Sequence, residues 1–117
     1  MLDSIKIEDI LFLDIETVPQ VPSMNLLEPP IQALWDKKSR FFRSPEETAE
    51  SVYERAGIYA EFGKIICISV GYIKDKNPLS FRLKSFFGDD EKELLSEFSA
   101  LLNKFSKSKK EALLCAH

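Results

Sequence analysis

The sequence is poor in the side chains that bind transition metals. It has one histidine, two cysteines and no C-x-x-C pair, which excludes a structural zinc site of the usual four-ligand spacing. Cys67 and Cys115 each sit in an apolar run, so both are expected to be buried, reduced thiols of a cytoplasmic protein. No uncharged apolar run approaches the roughly 18 residues that a membrane span needs. The opening Met-Leu-Asp-Ser-Ile-Lys has neither the basic start nor the long apolar stretch of a secretory signal. Positive charge is not in excess either: 16 Lys and Arg stand against 19 Asp and Glu, for a net charge of -3. That balance weighs against gripping nucleic acid by bulk positive charge, but not against an enzyme whose metal ions supply it. Internal repeats and low-complexity segments are absent. What remains, 117 residues of which 44% are hydrophobic and 30% charged, suits one soluble globular domain with a single modest core.

The patterning alternates strand and helix signals. Residues 10–13, Ile-Leu-Phe-Leu, form a β-type run that ends in Asp14-Ile15-Glu16. Four prolines between positions 19 and 30 then predict mostly loop over 17–30. A short helix is expected over 31–38, with Ile31, Leu34 and Trp35 on one face. Ser44-Pro45-Glu46-Glu47 has the form of a capping box, which predicts a helix to about Ala56 that stops at Gly57. Residues 64–73 are β-branched and almost continuously apolar, the pattern of a strand covered on both faces. A turn over 75–78 leads into an alternating, half-buried strand over 79–87, so the two strands should form a hairpin. The clearest helix runs over 89–105, capped by Asp90, with Leu94, Leu95, Phe98, Leu101, Leu102 and Phe105 on one face. A basic loop over 106–110 precedes a last buried strand over 112–116. The order implies an α/β fold of the α+β type: a mixed sheet in which a hairpin joins the first strand and a helix crosses over to a fourth.

The chemistry is concentrated in Leu11-Phe12-Leu13-Asp14-Ile15-Glu16-Thr17. Residues two apart on a strand point to the same side, so the Asp14 and Glu16 carboxylates should project together, with Leu13 and Ile15 buried behind them. Paired carboxylates repel unless a cation or proton intervenes. A hard divalent ion, Mg2+ or Mn2+, is the natural partner for oxygen ligands. Two such ions about 3.5–4 Å apart are the apparatus that clamps both oxygens in phosphodiester hydrolysis. An Asp-x-Glu triplet alone arises by chance in roughly a third of chains this long. The full apolar-framed pattern is about a thousandfold rarer. A strand running into an exposed acidic turn is the competing explanation.

Phe12-Leu13-Asp14-Ile15-Glu16-Thr17 resembles the first motif of DEDD-type 3′–5′ exonucleases of the ribonuclease H-like superfamily. More closely, the chain resembles a bacterial family of predicted exonucleases related to the proofreading domain of B-family DNA polymerases. That likeness spans residues 14–19, 60–72 (Ala-Glu-Phe-Gly-Lys-Ile-Ile-Cys-Ile-Ser-Val-Gly-Tyr), 90–95 and 114–117. It implies a ribonuclease H-like fold truncated after the fourth strand, with a helical insertion over about 20–60. It implies that Asp14 ligates both metals, that Glu16 binds one and orients the attacking water, and that Thr17 lies against the terminal nucleotide. The family's second and third motifs, with two further Asp and a Tyr or His base, would follow His117. The chain is therefore expected to be the front portion of such a domain, and inactive or nearly so by itself. His117 is expected to be a strand-end residue and not the base.

Other features have less to say. Lys104, Lys107, Lys109 and Lys110 are expected to be a solvated loop rather than a phosphate contact. Phe41, Phe42 and Arg43, with Trp35 and Arg40, are the one aromatic–basic mixture. Such a mixture can stack single-stranded bases, although core packing is the stronger expectation. Two functions are carried forward. One is a Mg2+- or Mn2+-dependent 3′–5′ exonuclease acting on nucleic acid, single-stranded DNA ends in particular, in repair or proofreading. The other is a non-catalytic module that binds nucleic acid or protein, or self-associates through apolar surface.

Overall fold

The computed structural model describes residues 4–116. His117 lies outside them, so its expected place at a strand end is not described. Within that range run β1 (Ile10–Pro19), α1 (Pro29–Ser39), β2 (Gly63–Lys76), β3 (Leu79–Phe87), α2 (Glu91–Ser108) and β4 (Leu113–Ala116). The chain divides into two compact units. Residues 17–65 form one, and the segments before and after form the other; the chain passes between them within β1 and within β2.

The sheet unit has the expected mixed architecture. Its four strands lie in the order β3-β2-β1-β4. β2 and β3 are antiparallel, with Ile68 opposite Phe86 and Tyr72 opposite Arg82. β4 runs parallel to β1, with Leu11 opposite Leu114, the arrangement that a helical crossover permits. That crossover is α2. The Asp90 side chain accepts a hydrogen bond from the Glu93 N–H at 3.1 Å, which satisfies one orphan donor of the first turn. The helix lies on one face of the hairpin: Phe98 meets Phe86 edge-on at 6.2 Å, and Phe105 meets Tyr72 at 5.9 Å. Leu11, Ile68, Val70, Phe86, Leu94 and Phe105 are buried there.

The opposite face of the hairpin is open. Cross-strand pairing puts Ser69 beside Ser85, Gly71 beside Leu83 and Ile73 beside Phe81 on it. Ile73 is buried, but Phe81, Leu83 and Phe87 are 50%, 76% and 78% exposed. The alternation in β3 therefore has the reverse sense to its hydrophobic pattern: Phe86, set among polar neighbours, is the buried side chain. Gly71 lies directly beneath the Phe81 ring. A Cβ there would stand 2.5 Å from Phe81 Cζ, so only glycine lets that ring lie flat on the sheet.

The edge strand also departs from expectation. β4 is mostly exposed, with Leu114 at 57%, because among the described residues only β1 pairs with it. Both cysteines are free, yet Cys115 is exposed and Cys67 only half-buried, so the expectation of two buried thiols fails.

Unit 17–65 is built around one ring. Trp35, on α1, is fully buried. Phe62, Tyr53, Phe42 and Tyr59 surround it at centroid distances of 5.2, 5.8, 5.8 and 6.1 Å. Its Nε1 donates to the Ala49 carbonyl at 2.8 Å. Leu27, Ala49, Val52 and Ala56 complete this core. The other residues expected on its face divide: Ile31 is half-buried and Leu34 is 53% exposed. Burial pushes the Tyr53 phenol above its usual range, and its hydroxyl has no well-formed hydrogen bond.

The helix expected over 44–56 does not form. Residues 44–52 are successive turns, and a 3-10 segment follows at Tyr53–Ile58. Only half of the capping box closes: the Ser44 N–H donates to Glu47 Oε2 at 2.7 Å, while the Glu47 N–H donates to the Ser44 backbone carbonyl at 3.1 Å and not to its hydroxyl. Beyond it, short polar side chains capture the backbone. Thr48 N–H donates to Ser51 Oγ at 3.0 Å, and Ser51 N–H to Thr48 Oγ1 at 3.1 Å. Ser51 Oγ and Trp35 Nε1 take the Thr48 and Ala49 carbonyls. These bonds offer the backbone an alternative to the helical ladder.

Candidate functional site

The candidate site is made by β1. Phe12 meets Phe81 at 6.4 Å, which fixes Phe12 on the open face of the sheet. Strand alternation then carries Asp14 and Glu16 onto that same face. Both carboxylates are exposed, and β1 lies between β2 and β4. Their strand is thus interior while their side chains stand clear of the core. Asp14 Oδ1 accepts the Ile15 N–H at 3.1 Å, which holds that oxygen against its own chain.

Two details differ from the sequence reading. Leu13 is only half-buried and Ile15 is 41% exposed, so the apolar backing of the two carboxylates is partial. α2 covers the hairpin and leaves the end of β1 near solvent. Thr17, also exposed, is out of phase with Asp14 and Glu16 along the strand. It is the first residue of the other compact unit.

The donor set tests the metal directly. Two carboxylates offer oxygen alone, the right chemistry for Mg2+ or Mn2+ and the wrong one for a soft ion. Among the described residues no group of three or more His, Cys, Asp or Glu is placed to hold an ion. Asp14 and Glu16 fit a hard cation in type but are short in number.

Unit 17–65 also has a cleft of about 580 Å³ that sequence reasoning missed. Val18, Pro19, Met24, Tyr53, Glu54 and Lys64 are among the residues that line it. The lining draws on the continuous stretch 18–24, on residues within 50–54 and on Lys64, and none of these carries a recognisable motif. None of the expected site residues lines it. The basic stretch near α2 is partly accounted for: Lys109 lies 3.8 Å from Asp9 and over the Phe105 ring, while Lys104, Lys107 and Lys110 are exposed.

Comparison with protein-family models, curated proteins and solved structures returns no match. Among the described residues no helix is long and apolar enough to cross a membrane.

Proposed function

We propose that the chain carries the first catalytic motif of a metal-dependent 3′–5′ exonuclease of the ribonuclease H-like superfamily. In this reading it acts on nucleic acid, single-stranded DNA ends in particular, in the cytoplasm. The supporting observation is the pair Asp14 and Glu16, exposed two residues apart on the open face of an interior strand. The sheet order, with β4 parallel beside β1, suits that superfamily. Asp14 and Glu16 would hold Mg2+ or Mn2+, which when bound polarises the phosphate and activates water. The residues themselves supply negative charge, a fixed spacing along β1 and access from solvent. Thr17 is the expected substrate neighbour. Two carboxylates bind a divalent ion weakly, so the 117-residue chain alone should trim DNA little.

The test is a Mn2+ titration followed by thermal unfolding. The native chain should be stabilised at millimolar ion, and Asp14→Ala and Glu16→Ala should each abolish the shift. Equal shifts in all three proteins would overturn the assignment. The exposed Phe81, Leu83 and Phe87 favour a second reading, a non-catalytic module that self-associates through its open face. Sedimentation equilibrium of the native chain against Leu83→Ser decides that reading.

A further inference from the structure

The aromatic–basic mixture around Trp35 separates into two parts in the structure. Trp35 and Phe42 belong to the core, with Phe42 stacked on Tyr59 at 5.8 Å. Phe41 does not. It is 84% exposed, although it follows directly on a helix whose neighbouring Trp35 is fully buried. It borders a groove of about 360 Å³ whose other walls are Ile31, Leu34, Lys37, Lys38, Glu61 and Phe62. The groove is apolar along its length, and two ammonium groups stand at its rim against one carboxylate. In a chain of net charge -3, that local excess of positive charge runs against the whole.

The other cations nearby are engaged elsewhere. Arg40 pairs with Asp36, Arg43 lies 2.9 Å from Asp36, and the Arg55 guanidinium covers the Phe42 ring at 4.7 Å. The Lys38 ammonium itself rests over the Tyr59 ring, also at 4.7 Å, and would leave that ring to meet a phosphate. Lys37 has no ion-pair partner among the described residues.

We propose that this groove is a contact site for single-stranded nucleic acid, with one base stacked on Phe41 and the flanking phosphates met by Lys37 and Lys38. An accessible ring with adjacent cations is the pairing that single strands require: the π-face accepts any base, and the ammonium groups track the backbone. The apolar floor of Ile31, Leu34 and Phe62 gives the base edge a dry wall. An aliphatic docking helix would fill the floor but would gain nothing from the lysines. The site rests on the nucleic-acid reading of the β1 carboxylates for its ligand class only, since no group in it belongs to that pair.

The experiment is fluorescence anisotropy of a labelled oligothymidylate with the full chain in EDTA, so that neither metal nor hydrolysis contributes. Phe41→Ala should weaken binding by about 5- to 150-fold, the range for loss of one stacked base. Phe41→Tyr should restore it. Lys37→Gln with Lys38→Gln should weaken binding and flatten its salt dependence. Phe41 is exposed, so an unchanged unfolding midpoint in Phe41→Ala separates lost contact from lost fold. No binding by the native chain, or binding unmoved by all three variants, overturns the proposal. An acidic peptide that binds in a Phe41-dependent way while the oligonucleotide does not overturns it too. The Mn2+ titration on Asp14 and Glu16 is unaffected by any of these results.

Discussion

The two compact units hold themselves together in different ways. Residues 17–65 have little regular structure beyond α1, yet they enclose Trp35 on every side. The sheet unit has nearly all the regular structure, yet one face of its hairpin is covered by α2 and the other is bare. Regular hydrogen bonding and burial are therefore not the same resource. A loop-rich segment can have the tighter core if several rings converge on one. A well-paired sheet can leave large side chains in water if only one side has a helix to receive them.

That contrast can be broken most sharply at Trp35. Trp35→Ala removes the hub of five aromatic side chains and leaves the Ala49 carbonyl without its indole donor. The expected loss is about 3–5 kcal/mol, measured by urea unfolding. A loss below about 1 kcal/mol would mean that the surrounding rings pack without it. The sheet unit offers a matched pair. Phe86→Ala, on the covered face, should cost about 3 kcal/mol, whereas Leu83→Ser on the bare face should change stability by less than about 0.5 kcal/mol. Equal effects would mean that the faces are not distinct.

The smallest effect is electrostatic. Arg40 first, and Arg43 second, hold the Asp36 carboxyl below its ordinary value. A pKa depressed in the folded state contributes stability above the unfolded value of about 3.9. That contribution is lost as pH falls through the folded value. Asp36→Asn should therefore flatten the acid limb of a melting-temperature profile below about pH 4 and leave the neutral region nearly unchanged.

Much of the sheet unit is legible in the sequence. Its strands carry β-branched runs, and α2 has both a capping residue and a continuous apolar face, so local and tertiary preferences agree. The carboxylate pair is legible because its spacing and the strand period coincide. Unit 17–65 is harder to read. The capping box at Ser44 is half made, Thr48 and Ser51 divert the backbone one turn later, and the Trp35 indole comes from outside the segment. Exposure of Leu83 and burial of Phe86 are equally hidden, since both faces of β3 carry phenylalanine and only the position of α2 decides between them. Thr17 falls out of phase because its role was expected from resemblance and not from the strand period.

The parallel ladder between β1 and β4 has a kinetic consequence. Leu11 and Leu114 are about a hundred residues apart in sequence, so their pairing closes the longest loop in the sheet, at an entropic cost that grows with its length. Contacts of such separation form slowly. The hairpin and α2 can assemble from neighbours, whereas the strand bearing Asp14 and Glu16 gains its second flank only when β4 returns to it. Assembly of the carboxylate strand is thus timed by its most distant partner, and amide exchange along Leu113–Ala116 would record that step.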